Sequence, residues 1–156
     1  MNVFTVSFFG HRKIIEFEKV SSIVEDIIEK IFNEHESIEF LVGRNGDFDS
    51  IVSSAIIRCK KKYNNKCSNY FVLVMPYETS SINENQESFL NYYDEIEICP
   101  YASAAHYKKS YEIRNKKMIE RSDLIIFYVN EKSGGAYKTL KYALRLGKKV
   151  INIGIE

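Results

Sequence analysis

The chain has 156 residues, 45% of them hydrophobic and 28% charged, with a net charge of +1. That length suits a single domain over 1–156 that buries about 70% of its unfolded surface without disulfide or metal staples. The even balance excludes a global field toward nucleic acid or an anionic membrane, and no apolar run nears the ~20 residues needed to span a bilayer.

Val3 to Phe9 is rich in β-branched and aromatic residues and reads as a first strand ending at Gly10. Gly10-His11-Arg12 then forms a glycine-and-arginine loop. From Glu16 to Glu34 the residues Phe17, Val20, Val24, Ile27 and Ile31 recur at three and four, with Ile23 and Ile28 beside them. That spacing predicts an amphipathic helix. Ile38 to Val42 is the second strand. The stretch Gly43-Arg44-Asn45-Gly46-Asp47-Phe48-Asp49 follows it, and a shorter helix runs from Ser50 to about Tyr63. Asp49 is placed as the N-cap of that helix. Lys60, Lys61 and Lys62 sit at its end, where the helix dipole favours cations.

Tyr70 to Met75 is a continuous apolar run stopped by Pro76 and suits a strand buried on both faces. Between Pro76 and Ser103 the pattern breaks down into a long polar, tyrosine-bearing loop, with Glu95 to Ile98 as one short strand. Ala104 to Arg121 reads as a helix with Ala104, Tyr107, Tyr111 and Met118 inward. Asp123 to Val129 is another buried strand. Ser133-Gly134-Gly135 is a third glycine loop, followed by a helix from Ala136 to Leu146 that turns Ala136, Leu140, Ala143 and Leu144 inward. Gly147 stops it, and Val150 to Ile153 is the last strand.

Strands alternating with helices imply right-handed crossovers, and hence an α/β fold in three layers around a mostly parallel central sheet. Ligands of such sheets sit outside the carboxyl ends of the strands. The loops at Gly10, Gly43 and Gly134 all follow strands, so they share that edge, and two of them carry arginine. A phosphate-bearing ligand is therefore the leading expectation.

Within the helix after Ser103, Arg114 falls in the inward stripe between Tyr111 and Met118, with Asn115 next to it. An inward guanidinium needs a partner. A carboxylate such as Asp123 could supply one, and so could a ligand phosphate or ribose. Ser133, Gly134 and Gly135 with Thr139 resemble a phosphate cradle made of loop and helix-start N–H groups plus a hydroxyl. The catalytic candidates are Asp49, Glu78 and Glu95. No metal-ligand spacing, Walker A motif or G-x-G-x-x-G is present, so no metal and no cofactor are expected. Three cysteines, Cys59, Cys67 and Cys99, form no C-x-x-C pair and read as reduced thiols of a cytoplasmic protein.

In order along the chain, Phe9-Gly10-His11-Arg12, Gly43 to Asp49, Met75-Pro76-Tyr77, Arg114-Asn115-Lys116-Lys117-Met118, Ser122-Asp123-Leu124, and Ser133-Gly134-Gly135-Ala136 with Thr139 and Tyr142-Ala143 form a set. This set resembles small bacterial proteins of the SLOG superfamily, in the DUF1273/YpsA-like branch related to the LOG and DprA proteins. The resemblance covers nearly the whole chain. It implies a Rossmann-like fold and a nucleotide or nucleotide-derived ligand over the glycine loops, as in a sensor or regulator. Gly10, Arg12, Gly43, Arg44, Gly46, Gly134, Gly135 and Thr139 would hold phosphate, with His11, Asn45 and Ser133 beside them in the ligand site. Arg114 and Asn115 would fix phosphate or ribose, Asp49 a ribose hydroxyl, and Tyr77, after Pro76, would stack on the base.

LOG enzymes carry an acidic residue shortly after their glycine motif, whereas Gly135 to Lys141 holds none here. An N-glycosidic hydrolase or transferase is accordingly the alternative, and whether the chain is an enzyme is left open. A third reading is a small interaction protein with a vestigial pocket. The near-zero net charge sets the expectation against a nucleic-acid partner and against a membrane. Related folds often dimerise, but no long apolar stripe demands a homo-oligomer.

Overall fold

Each β-branched or aromatic run singled out in the sequence becomes a strand of one sheet. The structure is a computed structural model that describes residues 2–63 and 66–154. The strands are β1 (Phe4–Gly10), β2 (Ser37–Val42), β3 (Ser68–Met75), β4 (Glu95–Ile98), β5 (Leu124–Tyr128) and β6 (Val150–Asn152). They lie in the order β4-β3-β2-β1-β5-β6, and every pairing is parallel. Parallel strands need crossovers over a face of the sheet, which is why both faces are covered.

Alternate residues along the strands enter two different cores. Val6, Phe8, Phe40, Phe71 and Ile126 pack beneath α1 (Phe17–Glu34) and α2 (Asp47–Tyr63). Phe9, Leu41, Val72, Ile125 and Phe127 pack beneath α6 (Tyr107–Arg121) and α7 (Gly135–Arg145). This is an α/β fold of the Rossmann-like type. The chain moves outward from β1 through β2 and β3 to β4, then returns to place β5 on the other side of β1. The order therefore reverses between β1 and β5. Crevices form at such switch points because the two flanking connections leave in opposite directions.

Three expectations need correction. The strand expected at Glu95 to Ile98 is β4, but the rest of residues 76–103 is not one long loop: it holds α3 (Ser80–Glu84), α4 (Gln86–Tyr92) and α5 (Pro100–Ser103). Ile82 and Phe89 anchor the first two into the core under α1 and α2. Helix α6 begins at Tyr107, not Ala104, with His106 as its cap accepting from the Lys108 N–H. Its inward stripe is Ser110, Arg114 and Met118, while Tyr107 is exposed. In α1 and α7 the residues Phe17 and Leu144 also face solvent.

A buried polar seam joins β1 to the end of α6. The Ser122 hydroxyl donates to the Met118 carbonyl at 2.6 Å and meets the Ser7 hydroxyl at 2.5 Å. The Asp123 carboxylate accepts from the Thr5 N–H at 2.8 Å. Asp123 is thus committed to the backbone of β1 and does not pair with Arg114.

Candidate functional site

A cleft of about 630 Å³ opens at the switch point. The loop after β1 forms one wall, through Gly10, His11, Arg12 and Lys13. The loop after β5 forms the other, through Asn130, Glu131, Ser133 and Gly134, and leads into the first turn of α7. His11 ties the two together, since its Nε2 accepts from the Asn130 N–H at 3.1 Å.

The floor is supplied by α6 and the loop after β2. Arg114 is buried at 5% exposure and lines the cleft. Its Nε and Nη2 donate to Asn115 Oδ1 at 3.0 and 2.6 Å, and Nη1 donates to the Val74 carbonyl at 3.1 Å. Among the described residues no carboxylate forms an ion pair with it. Burial pushes its pKa below the ordinary value, and Asp49 and Tyr111 push the other way. A guanidinium so placed has lost water and has Asp49 near it without an ion-pair contact, and an anion in the cleft would supply a direct one.

Asn115 passes the arrangement on to α7. Its amide donates to the Thr139 hydroxyl at 3.2 Å, and that hydroxyl donates to the Gly135 carbonyl at 2.8 Å. Thr139 is buried at 6% exposure, so it fixes the first turn of α7 and its proton is already spent. The helix starts at Gly134, whose φ of +91° is a backbone conformation suited to glycine, and no side chain caps it. The Gly135, Ala136 and Tyr137 N–H groups precede the first i→i−4 bond, which Lys138 makes to Gly134. Such groups carry the positive end of the helix dipole and suit an anion.

The loop after β2 is built differently. A Cβ on Gly43 would lie 2.8 Å from Arg114 Nη1, and one on Gly46 would lie 2.6 Å from the Arg12 Cα. These glycines are small so that protein can pack against them. A Cβ on Gly135 meets nothing within 4 Å. Asp49 is not the N-cap expected, because α2 begins two residues earlier at Asp47. Its Oδ2 accepts from the Asn45 N–H at 2.7 Å, and Asp47 accepts from the Ile14 N–H at 3.0 Å. Burial raises the Asp49 carboxyl above its ordinary value, opposed by the Asn45 N–H and Arg114.

Of the residues singled out in the sequence, the cleft gathers Gly10, His11, Arg12, Asn45, Gly46, Asp49, Arg114, Asn115, Ser133, Gly134 and Gly135. Four lie elsewhere. Gly43 and Arg44 line a second cleft toward α4, where Arg44 covers the Phe89 ring at 4.6 Å. Pro76 is buried. Tyr77 packs edge-on against Tyr111 at 6.0 Å. Tyr111, with Phe9 and Tyr128, supplies the aromatic rings of the cleft lining, and burial with the neighbouring Tyr77 raises its phenol pKa.

The carboxylates expected for catalysis are also dispersed. Glu95 opens β4 level with Val72, about 10 Å down the strand from the carboxyl edge at 3.3 Å per residue, and Glu78 is exposed outside the cleft. Asp49 is in the cleft with one oxygen engaged. Glu131, which the sequence pattern did not single out, is the exposed carboxylate there. Lys13, Ile15 and Asn130 were missed in the same way. Their signal was position alone, immediately after β1 and β5.

A parallel Rossmann-like sheet with its cleft at the switch point defines the class of protein to which this chain is similar. No family model matches the chain, and no curated protein matches it either. Among solved structures it is similar to DNA processing protein A (DprA) from Streptococcus pneumoniae, at 13% identity and a TM-score of 0.63, over 94% of this chain and 49% of that one. It is also similar to DNA processing protein A from Helicobacter pylori, described for a single-stranded DNA binding mode, at 14% identity and a TM-score of 0.59, over 94% and 63% of the two chains. The chain thus spans less than two thirds of the length of these structures, 49% and 63%, and the likeness is one of fold.

That likeness overturns the expectation against a nucleic-acid partner, since a protein sharing the fold is described binding single-stranded DNA. The net charge of +1 sums the whole chain and does not describe local charge. Binding responds to local charge, and Arg12 and Lys13 stand exposed together at the cleft. No described helix is long and apolar enough to cross a membrane.

Proposed function

We propose that the chain is a single SLOG-like domain that binds the phosphate of a nucleotide-type ligand in the switch-point cleft. The observation that carries this reading is Arg114, a buried cation at the cleft floor that, among the described residues, has Asp49 nearby but no carboxylate in ion-pair contact. The uncapped start of α7 adds orphan N–H groups to the same space, and Arg12 and Lys13 add charge at the rim. The ordered motifs support the DUF1273/YpsA-like branch, and the reduced cysteines support a cytoplasmic setting. The role is binding, as in a sensor or regulator.

A single strand of nucleic acid is the second reading, favoured by the Helicobacter pylori neighbour's described binding mode. Its phosphodiester would use the same cations. Thermal melting with adenosine, guanosine, thymidine and cytidine monophosphates tests the first reading, because a ligand of the folded state raises Tm by mass action. Fluorescence anisotropy with a labelled oligothymidylate tests the second, and binding should weaken steeply with salt. A Tm unmoved by any mononucleotide at millimolar concentration, with no anisotropy change at low salt, would remove both.

A further inference from the structure

A second cleft of about 640 Å³ opens on the other side of the Gly43 to Asp49 loop, between α2 and α4. Gly46 and Asp49 line both clefts, so the two are separated by the thickness of one loop. The chemistry differs between them. The second cleft also meets a helix that follows a glycine, α2 after Gly46, but Asp47 and Asp49 place carboxylates in its first turn. Its wall is aromatic: Phe89 and Tyr93 are buried there, and Tyr92 is 45% exposed. Arg44 lays its guanidinium over Phe89 at 4.6 Å from the ring centre. One face of that planar cation is covered, which leaves the other for a second planar group.

On the α2 side the wall carries hydroxyls, with Ser50 exposed and Ser53 buried. A planar cation, a tyrosine ring and an array of hydroxyls form a stacking platform with an edge for hydrogen bonds, which is the chemistry that receives a nucleobase. From these features we infer that the second cleft holds a nucleobase one nucleotide along from the phosphate bound at the switch point. The ligand is then a two-base nucleotide or a stretch of single strand, with its sugar-phosphate backbone passing over Gly46. This rests on the phosphate-binding role proposed above.

The test is calorimetric titration of the full chain with thymidine monophosphate, the 5′-phosphorylated thymidine dinucleotide, and an eight-residue oligothymidylate. One stacked base is expected to make the dinucleotide bind about tenfold tighter than the monophosphate, or more. In Arg44→Ala and Tyr92→Ala, both at solvent-reached positions, the two ligands should bind alike, with Tm in the absence of ligand as a control for folding. A gain complete at the dinucleotide assigns a small ligand, and a gain that continues into the oligomer assigns a strand. A dinucleotide no tighter than the monophosphate, or a gain that survives both substitutions, overturns the second site and leaves the first standing. If none of the three binds, the phosphate site fails, and this inference fails with it.

Discussion

Two loops of this molecule read almost identically in sequence, each a strand, a pair of glycines and a helix start, yet the structure uses them in opposite ways. At Gly43 the missing Cβ makes room for Arg114, and at Gly46 for the backbone of Arg12. At Gly134 and Gly135 the backbone faces open space above an uncapped helix. The first loop spends its glycines on packing and so positions the cation. The second keeps them free and so offers the N–H groups. A glycine loop is a binding loop only where nothing of the protein already occupies the space the glycine leaves.

The sharpest way to break this contrast is to add the same methyl group to each loop. Gly43→Ala forces a Cβ against the Arg114 guanidinium, and overpacking of this kind costs about 1–3 kcal/mol. Gly135→Ala enters empty space at a position without positive φ, so its stability should stay within about 0.5 kcal/mol of the parent. Urea unfolding of the two variants measures both. Equal losses would show that the loops are built alike.

Next in size is Arg114→Met, which keeps the length of the side chain and removes the charge. Its loss leaves the Val74 carbonyl and Asn115 Oδ1 without their donors, which should cost about 1–3 kcal/mol of stability. Nucleotide affinity, in turn, should fall roughly 10- to 100-fold with the loss of a charge-assisted contact. Unchanged affinity would assign Arg114 to packing alone. Thr139→Val is expected to cost about 1 kcal/mol, because its hydroxyl serves both Asn115 and the Gly135 carbonyl. Thermal unfolding checks it, and a neutral result would mean that the start of α7 does not depend on Asn115.

The smallest effect concerns pH. Burial holds Asp49 above its ordinary value of 3.8. A carboxyl raised on folding costs nothing below its unfolded pKa and costs most once the folded group has ionised. The stability of the parent relative to Asp49→Asn should therefore be level below about 3.8 and fall as the pH rises through the window above it. A difference that grows with pH would reverse the assignment of burial as the dominant cause.

How far the sequence disclosed this arrangement depends on the kind of signal. Continuous apolar runs such as Tyr70 to Met75 identified the strands, because burial on both faces leaves little polar alternation. The inward side of Arg114 followed from helical spacing with Met118. Helices α3 and α4 were hidden because five and seven residues are too few to display a period, and one buried residue, Ile82 or Phe89, anchors each. Arg44 turned toward Phe89 instead of the switch point, and no periodicity governs a loop side chain. The misplacement of Glu95 has a different source. Its strand was recognised, but the residue lies at the amino end of that strand, away from the ligand edge.

The most direct test of the central claim is an amide-resolved NMR titration with a nucleoside monophosphate. The expected result is that the N–H signals of Gly134, Gly135 and Ala136 move together with those of His11 to Lys13, at one shared affinity, while the amide of the close-packed Gly43 moves little. Large shifts centred on Gly43 with none at Gly134 and Gly135 would contradict the account and put the anion over the other loop.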